Sequence, residues 1–85
     1  MHKFYKINLQ SYDGLQAGIN DTLYNKYISN NKAQYIIDPI PQIINNNYAY
    51  FVLIDFIYND ELIQNYIEQL IEINESEYSE IINQS

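Results

Sequence analysis

Apolar and polar residues alternate through "HKFYKINLQ": Tyr5, Ile7 and Leu9 fall on one side, and Lys6, Asn8 and Gln10 on the other. That period predicts a half-buried strand over residues 3–10, and its lysines suit a sheet edge. The period then changes. Leu15, Ile19, Leu23, Tyr27 and Ile28 recur at helical spacing, and Asp13 with Gln16 three residues later has the form of a capping box. A helix is therefore expected to open after "SYDG" and to end at "SNN", where asparagine tolerates the left-handed C-terminal position. Gly18 costs its middle about 1 kcal/mol relative to alanine, which marks residues 18–21 as the place for a break.

The next run, "AQYIID", predicts a second short strand over residues 33–38. "PIPQII" extends it along an edge, because prolines cannot donate to a central ladder. "NNN" at 45–47 has the character of a hairpin turn. Residues 48–58, "YAYFVLIDFIY", are apolar or aromatic on both faces apart from Asp55 and read as a central strand. After "ND", a helix is expected with two opposed faces. At about 100° per residue, Glu61, Glu68, Glu72 and Glu75 lie within about 40° of one line, opposite Leu62, Ile63, Tyr66, Ile67, Leu70 and Ile73. Glu77 and Glu80 would enter the apolar side of that helix, so a new short helix is expected beyond "NES", capped by Ser76 and packed through Tyr78, Ile81 and Ile82.

These elements predict one small α+β domain spanning residues 1–85, in the order β-α-β-β-α with a short C-terminal helix. The sheet is expected to have three strands ordered 1-3-2, the third antiparallel between the other two, with helices on one face. The uncovered face would show Tyr48, Tyr50 and Tyr58 beside Val52, Ile54 and Phe56. Tyrosine tolerates a wet or partner-covered surface, so a homodimer through this face is expected.

Composition adds a bias that the pattern does not show. Isoleucine (16), asparagine (12) and tyrosine (10) dominate, while arginine is absent. This is the imprint of AT-rich coding, which should also enrich lysine, yet only four lysines accompany the 12 asparagines. The cation shortage needs another cause. Residues 1–32 hold all four lysines against Asp13 and Asp21; residues 33–85 hold nine carboxylates and no cation. An ordinary solvated helix mixes signs to form i,i+4 pairs. The segment 59–83, with seven carboxylates and no lysine, does not.

Little in the chain suits catalysis. His2 stands alone near the terminus, cysteine and arginine are absent, and no glycine-rich phosphate loop occurs. "DELIQNYIEQLIE" lacks the alternating oxygens and glycine of a calcium loop. No enzyme activity, cofactor or metal is expected. The chain has no membrane-length apolar run and no signal-peptide centre, which leads to an expectation of a cytoplasmic protein in a host bacterium.

In size, acidity and coding bias the chain resembles, as a class, the small inhibitors encoded by phages and mobile elements of low-GC bacteria, DNA-mimicking and anti-CRISPR proteins among them. What that resemblance implies is host-defence evasion: an inhibitor engaged in a protein–protein interaction that covers the basic nucleic-acid-binding surface of a defence protein. Direct binding to nucleic acid is disfavoured by charge. Along the expected helix, Glu61 to Glu68 spans about 10 Å and Glu68 to Glu72 about 6 Å, a loose match to phosphates about 6 to 7 Å apart. The expected contacts are Glu61, Glu68, Glu72 and Glu75, with Asp60, Tyr48, Tyr50 and Tyr58 beside them. Two alternatives stand next to this one. One is an antitoxin or immunity protein neutralising a basic toxin, the other a structural protein that self-associates through the tyrosine face.

Overall fold

A computed structural model of the chain describes residues 1–29 and 34–84. The protein is α+β, built on a four-stranded antiparallel sheet. Strand β1 (His2–Asn8) leads directly into helix α1 (Leu9–Thr22), followed by a π-helical turn (Tyr24–Ile28). Strands β2 (Ile43–Asn45) and β3 (Tyr48–Ile54) form a hairpin, and helix α2 (Asp55–Tyr58) follows at once. A 3-10 turn (Glu61–Ile63), helix α3 (Gln64–Ile67), strand β4 (Ile71–Ile73) and helix α4 (Glu75–Gln84) complete the order. The spatial order of the strands is β2-β3-β1-β4.

The expected 1-3-2 core of the sheet is present, with a fourth strand added outside β1. That addition makes β1 an interior strand, paired with β3 from His2↔Ile54 to Asn8↔Tyr48 and with β4 through Phe4, Tyr5 and Lys6. The second strand differs from expectation in place. Residues 34–38 are irregular, residue 33 lies outside the described residues, and the partner of β3 is Ile43–Asn45. Turn chemistry sets this register: Asn46 and Asn47 both adopt positive φ (51° and 67°), the two-residue type I′ geometry that joins adjacent strands directly. Ile36 and Ile37 are held by side chains instead. Asn20 Oδ1 accepts from both backbone N–H groups at 2.6 and 3.0 Å, Asn20 Nδ2 donates to the Ile37 carbonyl at 2.8 Å, and the Tyr12 hydroxyl donates to the Asp38 carbonyl.

Helix α1 starts four residues before the expected capping box. Its N-cap is Asn8, whose side chain accepts from Gln10 N–H, because Tyr12 extends the buried series Leu15, Ile19 and Leu23 one turn towards the N-terminus. The helix runs through Gly18 unbroken. The expected helix end at "SNN" falls partly on residues 30 and 31, outside the described residues.

The sheet has two covered faces. Tyr5, Ile7, Ala49, Phe51 and Leu53 share one face and form the core with Tyr12, Leu15, Ile19 and Leu23 of the helical side, joined by Ile57, Tyr58 and Ile63. On the opposite face lie Phe4, Lys6, Tyr48, Tyr50 and Val52, with α4 laid across them: Phe4 and Tyr78 meet with ring centroids 4.9 Å apart. Helices thus lie on both faces, where one was expected. Strand β3 also stops at Ile54, because Ile57 and Tyr58 reach the core at helical spacing from Leu53.

The largest departure lies in the acidic segment. No single helix spans residues 61–75; a 3-10 turn, one turn of α-helix and a strand replace it. Two features of the sequence account for this. Like charges four apart, with no lysine between them, weaken a helix. "IEI" also alternates with the period of a strand, which places Ile71 and Ile73 opposite Lys6 and Phe4 while Glu72 stands opposite Tyr5. The final helix is capped by Asn74, two residues before the expected Ser76: Asn74 Oδ1 accepts from Glu77 N–H at 2.7 Å.

Candidate protein-binding surface

The eight residues singled out by sequence fall into three environments. Glu61, Glu68 and Glu75 are exposed, at the first residue of the 3-10 turn, the C-cap of α3 and the first turn of α4 respectively. Glu72 lies on β4, with a carboxylate oxygen 3.7 Å from Lys3 Nζ. The four therefore occupy four elements, and the ladder expected from one helix is not formed. Asp60, Tyr50 and Tyr58 are buried and Tyr48 is half-buried. Tyr58 belongs to α2 and joins the core, so the expected tyrosine face is reduced to Tyr48 and Tyr50 with α4 above it.

Among the described residues, each amine is paired inside the molecule. Lys3 pairs with Glu72 and sits 4.7 Å from the Tyr58 ring centroid; Lys6 pairs with Glu77 at 3.6 Å and sits 4.7 Å from the Tyr48 ring. The N-terminal ammonium lies 3.7 Å from Asp55. Lys26 Nζ donates to Asp60 Oδ2 at 2.7 Å. The pairs made by Lys3, Lys6 and the N-terminus lie at the surface and add little stability, about 0 to 1 kcal/mol each. Their significance is in the remaining charge. Among the described residues, Asp13, Asp21, Asp38, Glu61, Glu68, Glu75 and Glu80 have no ion-pair partner, and all but Asp38 are exposed.

Among the described residues, Asp60 is the one buried carboxylate. It caps the 3-10 turn by accepting Leu62 N–H at 3.0 Å, and its other oxygen receives Lys26 at 2.7 Å and the Tyr27 hydroxyl at 3.3 Å. The Lys26 hydrogen bond, aided by Leu62 N–H, outweighs burial and holds the Asp60 carboxyl below its ordinary pKa; the same bond raises that of Lys26. Above this network opens a cleft of about 520 Å³ walled by Phe56 and Leu62, with Asn59 and Glu61 completing its lining. Phe56 and Leu62 are 54% and 56% exposed, and the Tyr27 ring backs Phe56 at 5.7 Å between centroids.

Asp38 has a different role. Ile40 N–H foremost, then the Tyr35 hydroxyl and the Gln42 amide, hold its carboxyl below the ordinary value. With Oδ1 taken by Ile40 and Oδ2 by Tyr35 and Gln42, the side chain organises the loop around Pro39 and Pro41.

Sequence reasoning missed Lys26, Tyr27 and the Phe56–Leu62 cleft. The asymmetry of "ND" followed by "EL" carried a signal: an N-cap aspartate is tied to its turn, whereas the next carboxylate is free. Among the described residues, no group of three or more metal-ligating side chains could hold a metal ion, and no helix is long and apolar enough to cross a membrane. Comparison of the chain with protein-family models, with curated proteins and with solved structures finds no match.

Proposed function

We propose that the chain is a non-catalytic acidic binding protein that occupies the basic, nucleic-acid-binding surface of a protein partner, in the manner of an inhibitor encoded by a phage or mobile element. One observation carries this reading. Each amine of the described residues is committed to a carboxylate of its own chain, which leaves six exposed carboxylates, on α1, the 3-10 turn, the C-cap of α3 and α4, with no counter-ion among the described residues. Such a distribution repels polynucleotides and attracts a surface built to hold phosphates. The contact set narrows from the sequence expectation to Glu61, Glu68 and Glu75, with Asp13, Asp21 and Glu80 added, because Glu72 and Asp60 are already engaged.

The test is a capture experiment on a bacterial lysate at rising salt, followed by a nucleic-acid binding assay on what is captured. The expected result is a partner that elutes with salt and that loses DNA or RNA when the chain is added. A captured partner that holds nucleic acid normally in the complex would contradict the proposal.

A further inference from the structure

In the cleft between Phe56 and Leu62, apolar exposure and unneutralised charge coincide. We infer that it is an arginine socket: the site at which an arginine side chain of the basic partner inserts, its guanidinium stacked on Phe56 and paired with Glu61, its stem against Leu62. This deepens the function proposed above and rests on it.

Three observations support the assignment. First, charge complementarity selects a cation. Among the described residues Lys26 is the one cation lining the cleft, and Asp60 neutralises it at 2.7 Å, so the net charge they leave at the rim is that of Glu61. Second, the walls are exposed and apolar yet held in place. Phe56 is backed by Tyr27, and Leu62 lies within the 3-10 turn whose N-cap, Asp60, accepts its N–H and is tied to Lys26 and Tyr27. An aromatic anchor on a rigid base, with a charged rim, is the form in which a few residues carry most of a protein contact. Third, the combination favours arginine over lysine. A planar guanidinium can stack on a ring while bonding a carboxylate with two N–H groups, whereas an ammonium is a compact and strongly hydrated point charge. Asp60 is not the acceptor for this cation, because both its oxygens already accept from the chain's own donors.

The probe is a short peptide of alternating glycine and arginine, compared with its lysine counterpart, titrated into the isotope-labelled protein and followed by backbone amide shifts. The arginine peptide is expected to move Phe56, Glu61 and Leu62 most and to bind more tightly than the lysine peptide. Phe56→Ala should weaken it about three- to tenfold and Glu61→Gln about tenfold, while Glu77→Gln, at a carboxylate already paired with Lys6, leaves it unchanged. Both weakening variants alter exposed side chains, and an unchanged amide spectrum elsewhere shows that the fold is intact. Salt-sensitive binding with shifts spread evenly over Asp13, Asp21, Glu68 and Glu80 overturns the socket and leaves the proposed function standing. Absence of binding by both peptides overturns the two together.

Discussion

The ring of Tyr66 lies so close to Gly18 that a β-carbon added at position 18 would sit 2.5 Å from Tyr66 Cε1 and 2.6 Å from its Oη. Helix α1 and helix α3 approach each other through this contact, which is how the acidic segment is seated on the core.

Gly18→Ala is therefore expected to destabilise the protein by about 1 to 3 kcal/mol, the usual range for overpacking, despite a gain of about 1 kcal/mol in helix propensity. Denaturant melts measure the difference. The double variant Gly18→Ala with Tyr66→Ala should be more stable than the sum of the two single losses predicts; strict additivity would show that the ring is not what alanine meets.

Leu53 lies in the interior of β3 at 2% exposure. Leu53→Ala should cost about 2 to 5 kcal/mol, and a denaturant midpoint unchanged from the parent would remove β3 from the core.

The pH dependence follows from the Lys26–Asp60 pair. Asp60 has a folded pKa below its unfolded one, so its contribution is present above the unfolded value, about 4, and is lost as pH falls through the depressed folded value. Lys26 has a raised folded pKa, so its contribution is complete below the unfolded value, about 10.4, and is lost as pH rises through the folded one. Lys26→Met should flatten the acid limb of the stability curve, and Asp60→Ala should cost about 0.5 to 2 kcal/mol at neutral pH through the lost N-cap. An acid limb of the same slope in Lys26→Met would contradict this assignment.

Two tyrosines should titrate late. Burial, with Glu72 and Tyr58 nearby, pushes Tyr5 up to about 12; burial, with Asp38 first among the neighbouring charges, does the same for Tyr12. Both folded values exceed the unfolded one near 10, so the stability they confer is intact below that pH and is lost as pH rises through about 12. Tyrosinate absorbance during alkaline titration should show a late phase that shrinks in Tyr5→Phe and in Tyr12→Phe.

Much of the sheet was legible because its signals are local. The alternation of "KFYKIN", the asparagine turn and the apolar run from Tyr48 each name one element without reference to the rest. The acidic segment misled for a physical reason. Its carboxylates fall on one line at helical period, but a period describes a possible helix and says nothing of its stability. The crowded charges and the β-branched pair around Glu72 decide against the helix, and Lys3, 69 residues earlier in the sequence, supplies the partner for that strand. The cleft was hidden for the same kind of reason. Phe56 was assigned to a strand face, and only the turn into α2 brings it beside Leu62.

Whether the chain occupies a nucleic-acid-binding surface is decided by comparing two sets of glutamates in competition with nucleic acid for the captured partner. One variant changes the uncompensated set, Glu61, Glu68, Glu75 and Glu80, to glutamine; the other changes the internally paired set, Glu72 and Glu77. Each charge-assisted contact is worth about 1.5 to 3 kcal/mol, so loss of two or more contacts should weaken competition at least a hundredfold. The first variant should lose competition to that extent while keeping its fold, and the second should compete as the parent does. Equal competition by the first variant and the parent would show that the free carboxylates serve solubility alone, and the reading of this protein as an occupant of a nucleic-acid-binding surface would be wrong.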